Sequence, residues 1–453
     1  MVRPEGFEPP TFCSEDRRSN PLSYGRIDVV YYSNRVKQMD TALPIYNFKS
    51  ANKYLRRFHD SSHSEYTLDN MRNIMEFLGN PQDKFKAIHV AGTSGKTSTA
   101  YYISSLLTAT DKKVGLSVSP HVDELNERVQ INSVPLEEKI FCESLSVFLS
   151  IMEGCPFKPS WFEVMIAFAY WYFAKVKVDY GVIEVGLGGL KDGSNVINAQ
   201  DKICVITDIG HDHVNVLGSS LREIAAQKAG IIFPGNTVLC VDQDREALKV
   251  VEETALRQNA ELHIISPGNT NEPNIPNFQQ RNWSLAYEVF KYIQKRDSLI
   301  ALENEQLEKT RRITVPGRMD IRHEGEKTIV MDGAHNAQKM TAFAESFKKL
   351  FPQQKPAVLL AMKQGKEYKD IVPILASISS RMVTTKFSTT QDLPILSTPA
   401  TELAEAFENY LPVKAIENLE VAYQDLINGP EKICVIVGSL YLLGEVRKLE
   451  NLI

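Results

Sequence analysis

The stretch "VAGTSGKTST", residues 90–99, holds Gly95, Lys96 and Thr97 in the order that closes the phosphate-loop pattern G-x-x-x-x-G-K-[ST]. Val90 stands where the first glycine belongs, and Gly92 comes two residues late. Phosphate binding does not require that glycine. It requires a turn of free backbone N–H groups, a helix N-terminus, and a lysine that reaches the outer phosphates. Thr93 to Lys96 can supply the turn and the cation, while Thr97 or Ser98 can cap the helix and approach a phosphate or Mg²⁺. An ordinary glycine-containing turn is the plainer account. An apolar run before the loop and a helical pattern after it favour nucleotide binding.

Four other stretches carry chemistry. "DIGHDHVNVLG" (208–218) sets two histidines and two aspartates after an apolar run, at the end of a predicted strand, where α/β sheets bind ligands. Such a loop could hold a metal or simply face water. "IEVGLGGLKDGSN" (183–195) places Glu184 at the end of another apolar strand, and a buried carboxylate needs a partner such as a metal. "AAQKAGI" (225–231) puts Lys228 in an apolar helix, read either as a structural salt bridge or as a functional lysine. "PGRMD" (316–320) and "MDGAHNA" (331–337) offer Arg318, Asp332, His335 and Asn336, of which Arg318 suits a γ-phosphate. There is no G-x-S-x-G elbow and no zinc-spaced Cys/His cluster.

These groups need a scaffold, and the patterning supplies one. Residues 67–79, 97–110, 221–232, 281–297 and 336–351 have helical apolar spacing. Residues 85–92, 113–119, 178–186, 202–210 and 237–241 read as buried strands, followed later by 327–333, 357–362, 381–387 and 432–439. The alternation predicts an α/β protein: a P-loop parallel-sheet ATPase domain over 39–305, then a smaller Rossmann-like α/β domain over 306–453. The Pro- and Asn-rich stretch 266–280 reads as a loop within the first domain. Residues 1–38 show neither helical nor strand periodicity and are read as a spurious or disordered extension, with Met39 opening the regular pattern.

Bulk properties narrow the class. A chain of 453 residues exceeds one typical core. Lys and Arg number 51 against 56 Asp and Glu, a net charge of −5 that argues against a dominant nucleic-acid surface. The six cysteines are scattered, as expected for reduced thiols in the cytoplasm. The most apolar run, 164–178, falls short of the roughly 18–20 residues of a membrane span and carries lysines, so it reads as a buried helix.

Taken together and in order, "HVAGTSGKTST", "SPHVDELNERVQIN", "WFEVMIAFAYWYF", "IEVGLGGLKDGSN", "DHVNVLG", "QKAGI", "PGRMD", "DGAHN" and "VGSLYLLGEV" resemble bacterial folylpolyglutamate synthase/dihydrofolate synthase. That family lies in the Mur-ligase superfamily, whose shortened P-loop reads G-T-x-G-K-[TSG]; the loop here is a complete example of it. The resemblance spans about residues 41–450. It implies an ATP-dependent ligase that joins L-glutamate to folate, to dihydropteroate, or to both, through an acyl phosphate. Gly92, Thr93, Ser94, Gly95, Lys96, Thr97 and Ser98 would bind ATP, joined by Asn282, Arg318, Asp332 and His335. Ser119, Glu184, His213 and a carbamylated Lys228 would hold Mg²⁺, and Lys96, Lys228, His213 and Arg318 would be catalytic. The pterin-bearing substrate would meet Trp161, Phe162, Glu163 and Lys191. A monomer free of nucleic acid and membrane is implied. Departures from the family pattern are Leu190 in place of an arginine, Phe278–Gln279 in place of "HQ", "QGKE" (364–367) in place of a "DKD"-like segment, and "QKAGI" in place of "EKAGI". The rival readings are a Mur-type ligase of a cell-wall precursor and a non-catalytic nucleotide-binding homologue.

Overall fold

The computed structural model describes residues 43–59, 67–266, 274–389 and 395–450. The stretch 1–38 and the centre of the Pro/Asn-rich loop lie outside the described residues. From Pro44 onward the chain packs as one unit.

Its larger sheet contains β1 (Lys86–Ala91), β2 (Val114–Ser117), β3 (Gln130–Ile131), β4 (Val134–Pro135), β5 (Tyr180–Glu184), β6 (Ile203–Ile206), β7 (Thr237–Val241) and β8 (Glu261–Ile265), in the order β4-β3-β2-β5-β1-β6-β7-β8. The strands from β2 to β8 pair in parallel, and only the short edge strands β3 and β4 run antiparallel. Each central strand is apolar on both faces because helices cover both. Consecutive strands depart to opposite sides of β1, so the crevice at the carboxyl ends of β1, β5 and β6 is the topological switch point where such sheets bind ligands.

The second sheet is built from β9 (Asp320–Glu324), β10 (Lys327–Asp332), β11 (Ala357–Leu360), β12 (Arg381–Thr384), β15 (Val413–Ala415) and β16 (Ile433–Val437), in the order β15-β12-β11-β16-β10-β9. All its pairs are parallel except β9 with β10. A small hairpin, β13 (Ser388–Thr389) with β14 (Ile395–Leu396), stands apart from both sheets.

The helix Trp161–Val176 shows why the apolar run 164–178 does not mark a membrane span. Every position but Phe162 from Trp161 to Phe173 is buried, around the whole circumference, and Phe168 packs on Phe141 and Phe148 with ring centroids 5.4 Å away in each case. Full burial of such a ring stabilises the fold by about 2–3 kcal/mol. Among the described residues no helix is long and apolar enough to cross a membrane. The helix Asn304–Arg311 contains the expected domain junction and packs on the helix Lys96–Thr108 of the first sheet, so the crossing to the second sheet runs through residues 312–319. Five cysteines are free thiols, and Cys13 lies outside the described residues.

Candidate active site

β1 delivers the chain into the loop and the helix Lys96–Thr108 carries it away, with Gly95 as N-cap in a left-handed conformation at φ 88°. A Cβ at Gly95 would come within 2.3 Å of Asn282 Oδ1, and one at Gly92 within 1.9 Å of Thr207 Oγ1. The two glycines of the short loop are therefore places of close approach: one to the helix Asn277–Asp297, the other to the end of β6.

The loop is zipped to the segment after β6. Thr93 and Ser94 donate their backbone N–H groups to Asp208 O at 2.7 and 3.1 Å, and Thr93 Oγ1 donates to Gly210 O at 3.0 Å. This corrects the expectation that free amides begin at Thr93. The donors left for an anion are those at the helix start, from Gly95 on, because the first amides of a helix have no partner within it. Asp208 is itself fixed by a bidentate pair with Arg281, at 2.9 and 2.6 Å.

Glu184 is fully buried at the end of β5. It accepts from Thr97 Oγ1 at 2.9 Å and from the Ser119 amide at 3.1 Å. Burial pushes its carboxyl up against the opposing pull of Lys96. Arg318 Nη2 lies 3.4 Å from Thr97 Oγ1, so the second half of the chain reaches the phosphate loop directly. Lys96 Nζ donates to Gly92 O at 3.1 Å, and Lys228 Nζ reaches the same carbonyl at 2.9 Å. Burial and the nearby Lys96 charge lower the Lys228 amine to about 7.

From the second sheet, Asp332 at the end of β10 accepts the amides of Met319 and Ala334, each at 2.8 Å, and burial raises its carboxyl to about 6. His335 Nδ1 lies 2.8 Å from Gly333 O; a carbonyl only accepts, so the proton sits on Nδ1 and Nε2 is a bare acceptor facing Lys339 Nζ at 3.1 Å. Burial drives the imidazole down to about 4, in keeping with a neutral ring.

Asp212 joins the two halves. It accepts from Lys339 at 3.0 Å and from Lys366 at 2.9 Å. Burial opposes its ionisation, but the Lys339 ammonium outweighs it and holds the carboxyl well below the usual carboxylate range. Sequence reasoning noticed the Asp212 loop but not these partners, which lie 127 and 154 residues away. Lys339 stands one helical turn beyond His335, a spacing that could have pointed to it.

These groups line one cavity of about 700 Å³. Every expected ATP residue, from Gly92 to Ser98 with Asn282, Arg318, Asp332 and His335, borders it, as do Ser119, Glu184, His213 and Lys228. Of the expected acceptor-binding residues, Phe162 faces it. Trp161 is buried beneath the Arg128 guanidinium, 4.6 Å from its ring centre. Glu163 closes a capping box with Ser160 and accepts from Asn70 at 3.2 Å. Lys191 is exposed, and Leu190 is 44% exposed and packs on Gly230, so neither borders the cavity. Ser160-x-x-Glu163 has capping-box spacing, a signal that marks Glu163 as a helix start.

The donor set suits a hard cation. Glu184 and Thr97 present oxygen beside the phosphate loop, and among the described residues no three His, Cys, Asp or Glu side chains gather into a closed cage. Mg²⁺ is commonly held this way, by one or two protein oxygens plus phosphate oxygens of the substrate.

Comparison with known proteins gives the same picture. Residues 167–308 match the family model of the Mur ligase middle domain, and 317–450 match that of the dihydrofolate synthetase C-terminal domain. The dihydrofolate synthase/folylpolyglutamate synthase of Bacillus subtilis is 30% identical over 418 residues, covering 84% of this chain and 94% of that protein. The dihydrofolate synthetase of Saccharomyces cerevisiae is 29% identical over 419 residues, covering 85% and 98%. The fold matches that of Mycobacterium tuberculosis folylpolyglutamate synthase complexed with ADP, with a TM-score of 0.77, 24% identity, and coverage of 89% and 98%.

Proposed function

The chain belongs to the dihydrofolate synthase/folylpolyglutamate synthase family, and from that premise we propose that it is an ATP-dependent ligase joining L-glutamate to folate, to dihydropteroate, or to both. The observation that carries this reading is the single cavity shared by the phosphate loop, the buried Glu184, and Arg318 and Asp332 from the second sheet.

An acceptor carboxylate attacks the γ-phosphorus of ATP, the bond to the β-phosphate oxygen breaks, and ADP leaves. The resulting acyl phosphate is attacked by the glutamate amine, which forms the amide and expels phosphate as the amine loses a proton. Both steps build negative charge on phosphoryl oxygens, so fixed cations and amides supply much of the catalysis. Lys96 and the amides from Gly95 onward hold the phosphates. Arg318, poised beside Thr97, meets the transferring group. Asn282 and His335 line the nucleotide side, and Phe162 offers a flat apolar face to a heterocycle. Bound Mg²⁺ would neutralise phosphate charge, held by Glu184, Ser119 and His213.

Lys228 completes that set as a carbamate. An amine lowered to about 7 is about half neutral at pH 7, and the neutral form is the one that bonds to the carbon of CO₂ and releases a proton. The product is an anion, which resolves the cost of a buried ammonium. The reading also takes the chain as a cytoplasmic monomer of two domains, divided at 312–319 rather than at the expected 305/306, with ATP held between the sheets.

Phosphate release from ATP by protein starting at Met39 tests the reading, with Mg²⁺, glutamate, and either dihydropteroate or tetrahydrofolate. Release with both acceptors means both reactions, and release with one assigns the branch. Turnover with a cell-wall precursor and none with either pterin would favour the Mur-type alternative.

A further inference from the structure

His89 lies at the centre of β1, is completely buried, and touches neither the phosphate loop nor the cavity. Its Nε2 is 2.9 Å from Ser194 Oγ. That hydroxyl also makes a short hydrogen bond to Asp192 Oδ1. A serine has one proton to give, and a carboxylate can only accept, so Ser194 donates to Asp192. Ser194 Oγ must then accept from His89, which places the imidazole proton on Nε2. The other ring nitrogen, Nδ1, is buried with no partner among the described residues, as suits the bare acceptor nitrogen of this tautomer. Burial and the charge of Lys202 keep the ring neutral.

The chain of donors ends on a cavity wall. Asp192 borders the cavity beside Phe162, and its carboxylate also accepts the Leu187 amide at 2.7 Å and the Ser194 amide at 3.0 Å. Tyr170 OH holds Ser194 O at 2.8 Å from the opposite side. The carboxylate therefore ties Leu187 to Ser194 across the turn 186–195, held by backbone amides and by one side-chain hydroxyl, and that hydroxyl is the one His89 directs.

We propose that His89 is a positioning residue for the acceptor side of the cavity: through Ser194 it fixes Asp192 and the turn 186–195, and so ties the acceptor wall to the strand that carries the ATP loop. This rests on the ligase reading above for its consequence in turnover, but not for its consequence in structure. An imidazole that donates only through Nε2 has a stand-in in glutamine, whose terminal amide reaches a similar position, while asparagine is too short.

The test compares His89→Ala, His89→Asn and His89→Gln in the full chain. Hydrogen exchange read over 186–195 should speed up by about tenfold in the first two, the loss expected for one buried hydrogen bond, while residues 92–98 keep their protection. His89→Gln should restore the wild-type rate over 186–195. In turnover, His89→Ala should raise KM for dihydropteroate about tenfold on the same basis and leave KM for ATP unchanged, with His89→Gln again near wild type. Equal loosening of 92–98 and 186–195, or failure of glutamine to rescue, would reduce His89 to a core residue and overturn the proposal. Unchanged exchange over 186–195 in a folded His89→Ala protein would overturn it as well. An inactive wild-type protein would refute the ligase reading, and the exchange measurement would still decide the role of His89.

Discussion

Thr97 Oγ1 donates to Glu184 Oε1 at 2.9 Å, joining the first turn of the phosphate-loop helix to the end of the neighbouring strand. Because Arg318 approaches the same hydroxyl, one bond sits where the ATP loop, the buried carboxylate and the second sheet meet. Glu184→Gln keeps the shape but removes the charge, and an amide is a poor ligand for a hard cation. Its turnover should fall at least about 100-fold, the usual cost of deleting a group that stabilises transition-state charge. Its melting temperature should not fall, since burial already disfavours the ionised form. Steady-state kinetics beside thermal unfolding checks both.

Asp212 bonds directly to Lys339 and Lys366 of the second half of the chain. Asp212→Asn should lower unfolding stability by about 1–3 kcal/mol, because it strands partly buried cations. The carboxyl is held below its ordinary range, so its contribution is complete at neutral pH and is lost only as pH falls through its folded value, beneath the usual carboxylate range. Urea unfolding of both proteins at pH 7 should show the gap.

Asp332 titrates in the opposite sense. Its folded value of about 6 lies above the ordinary value of 3.8, so the native state binds more protons than the unfolded chain between the two. Stability owed to the protonated acid is fully present below 3.8 and is lost as pH rises through about 6. Asp332→Asn has no such titration. Relative to the wild type it should gain about 3 kcal/mol between pH 4 and pH 7, as read by denaturant titrations at the two pH values.

Lys228 should be active as the carbamate. Turnover should fall in buffer stripped of CO₂ and return on adding bicarbonate, while Lys228→Ala responds to neither. Labelled bicarbonate should give a carbamate signal in the wild type that is missing in the variant. Turnover indifferent to CO₂, with no such signal, would leave Lys228 as an amine bonded to Gly92 O.

Much of this was legible in the sequence, because strand ends in a parallel sheet are local features. The apolar runs before Gly92, after Asp179 and before Asp208 each became a central strand, and each delivered its polar end to one crevice. Relations set by the approach of distant segments were not legible. That Asp208 O would consume the Thr93 and Ser94 amides depends on how β6 meets β1. That Lys366, in a segment departing from the family pattern, would reach Asp212 depends on how the two sheets face each other. Of the four residues expected at the acceptor, the helix start at Ser160 explains two. It turns Phe162 to the cavity and commits Glu163 to the cap.

The central claim is ligation through an acyl phosphate, and the fate of one oxygen tests it most directly. The acceptor would carry heavy oxygen in its carboxylate and be incubated with the protein, ATP, Mg²⁺ and glutamate. The account predicts glutamate-dependent phosphate carrying one heavy oxygen atom for each amide formed. Phosphate without the label, or released equally when glutamate or acceptor is left out, would contradict it.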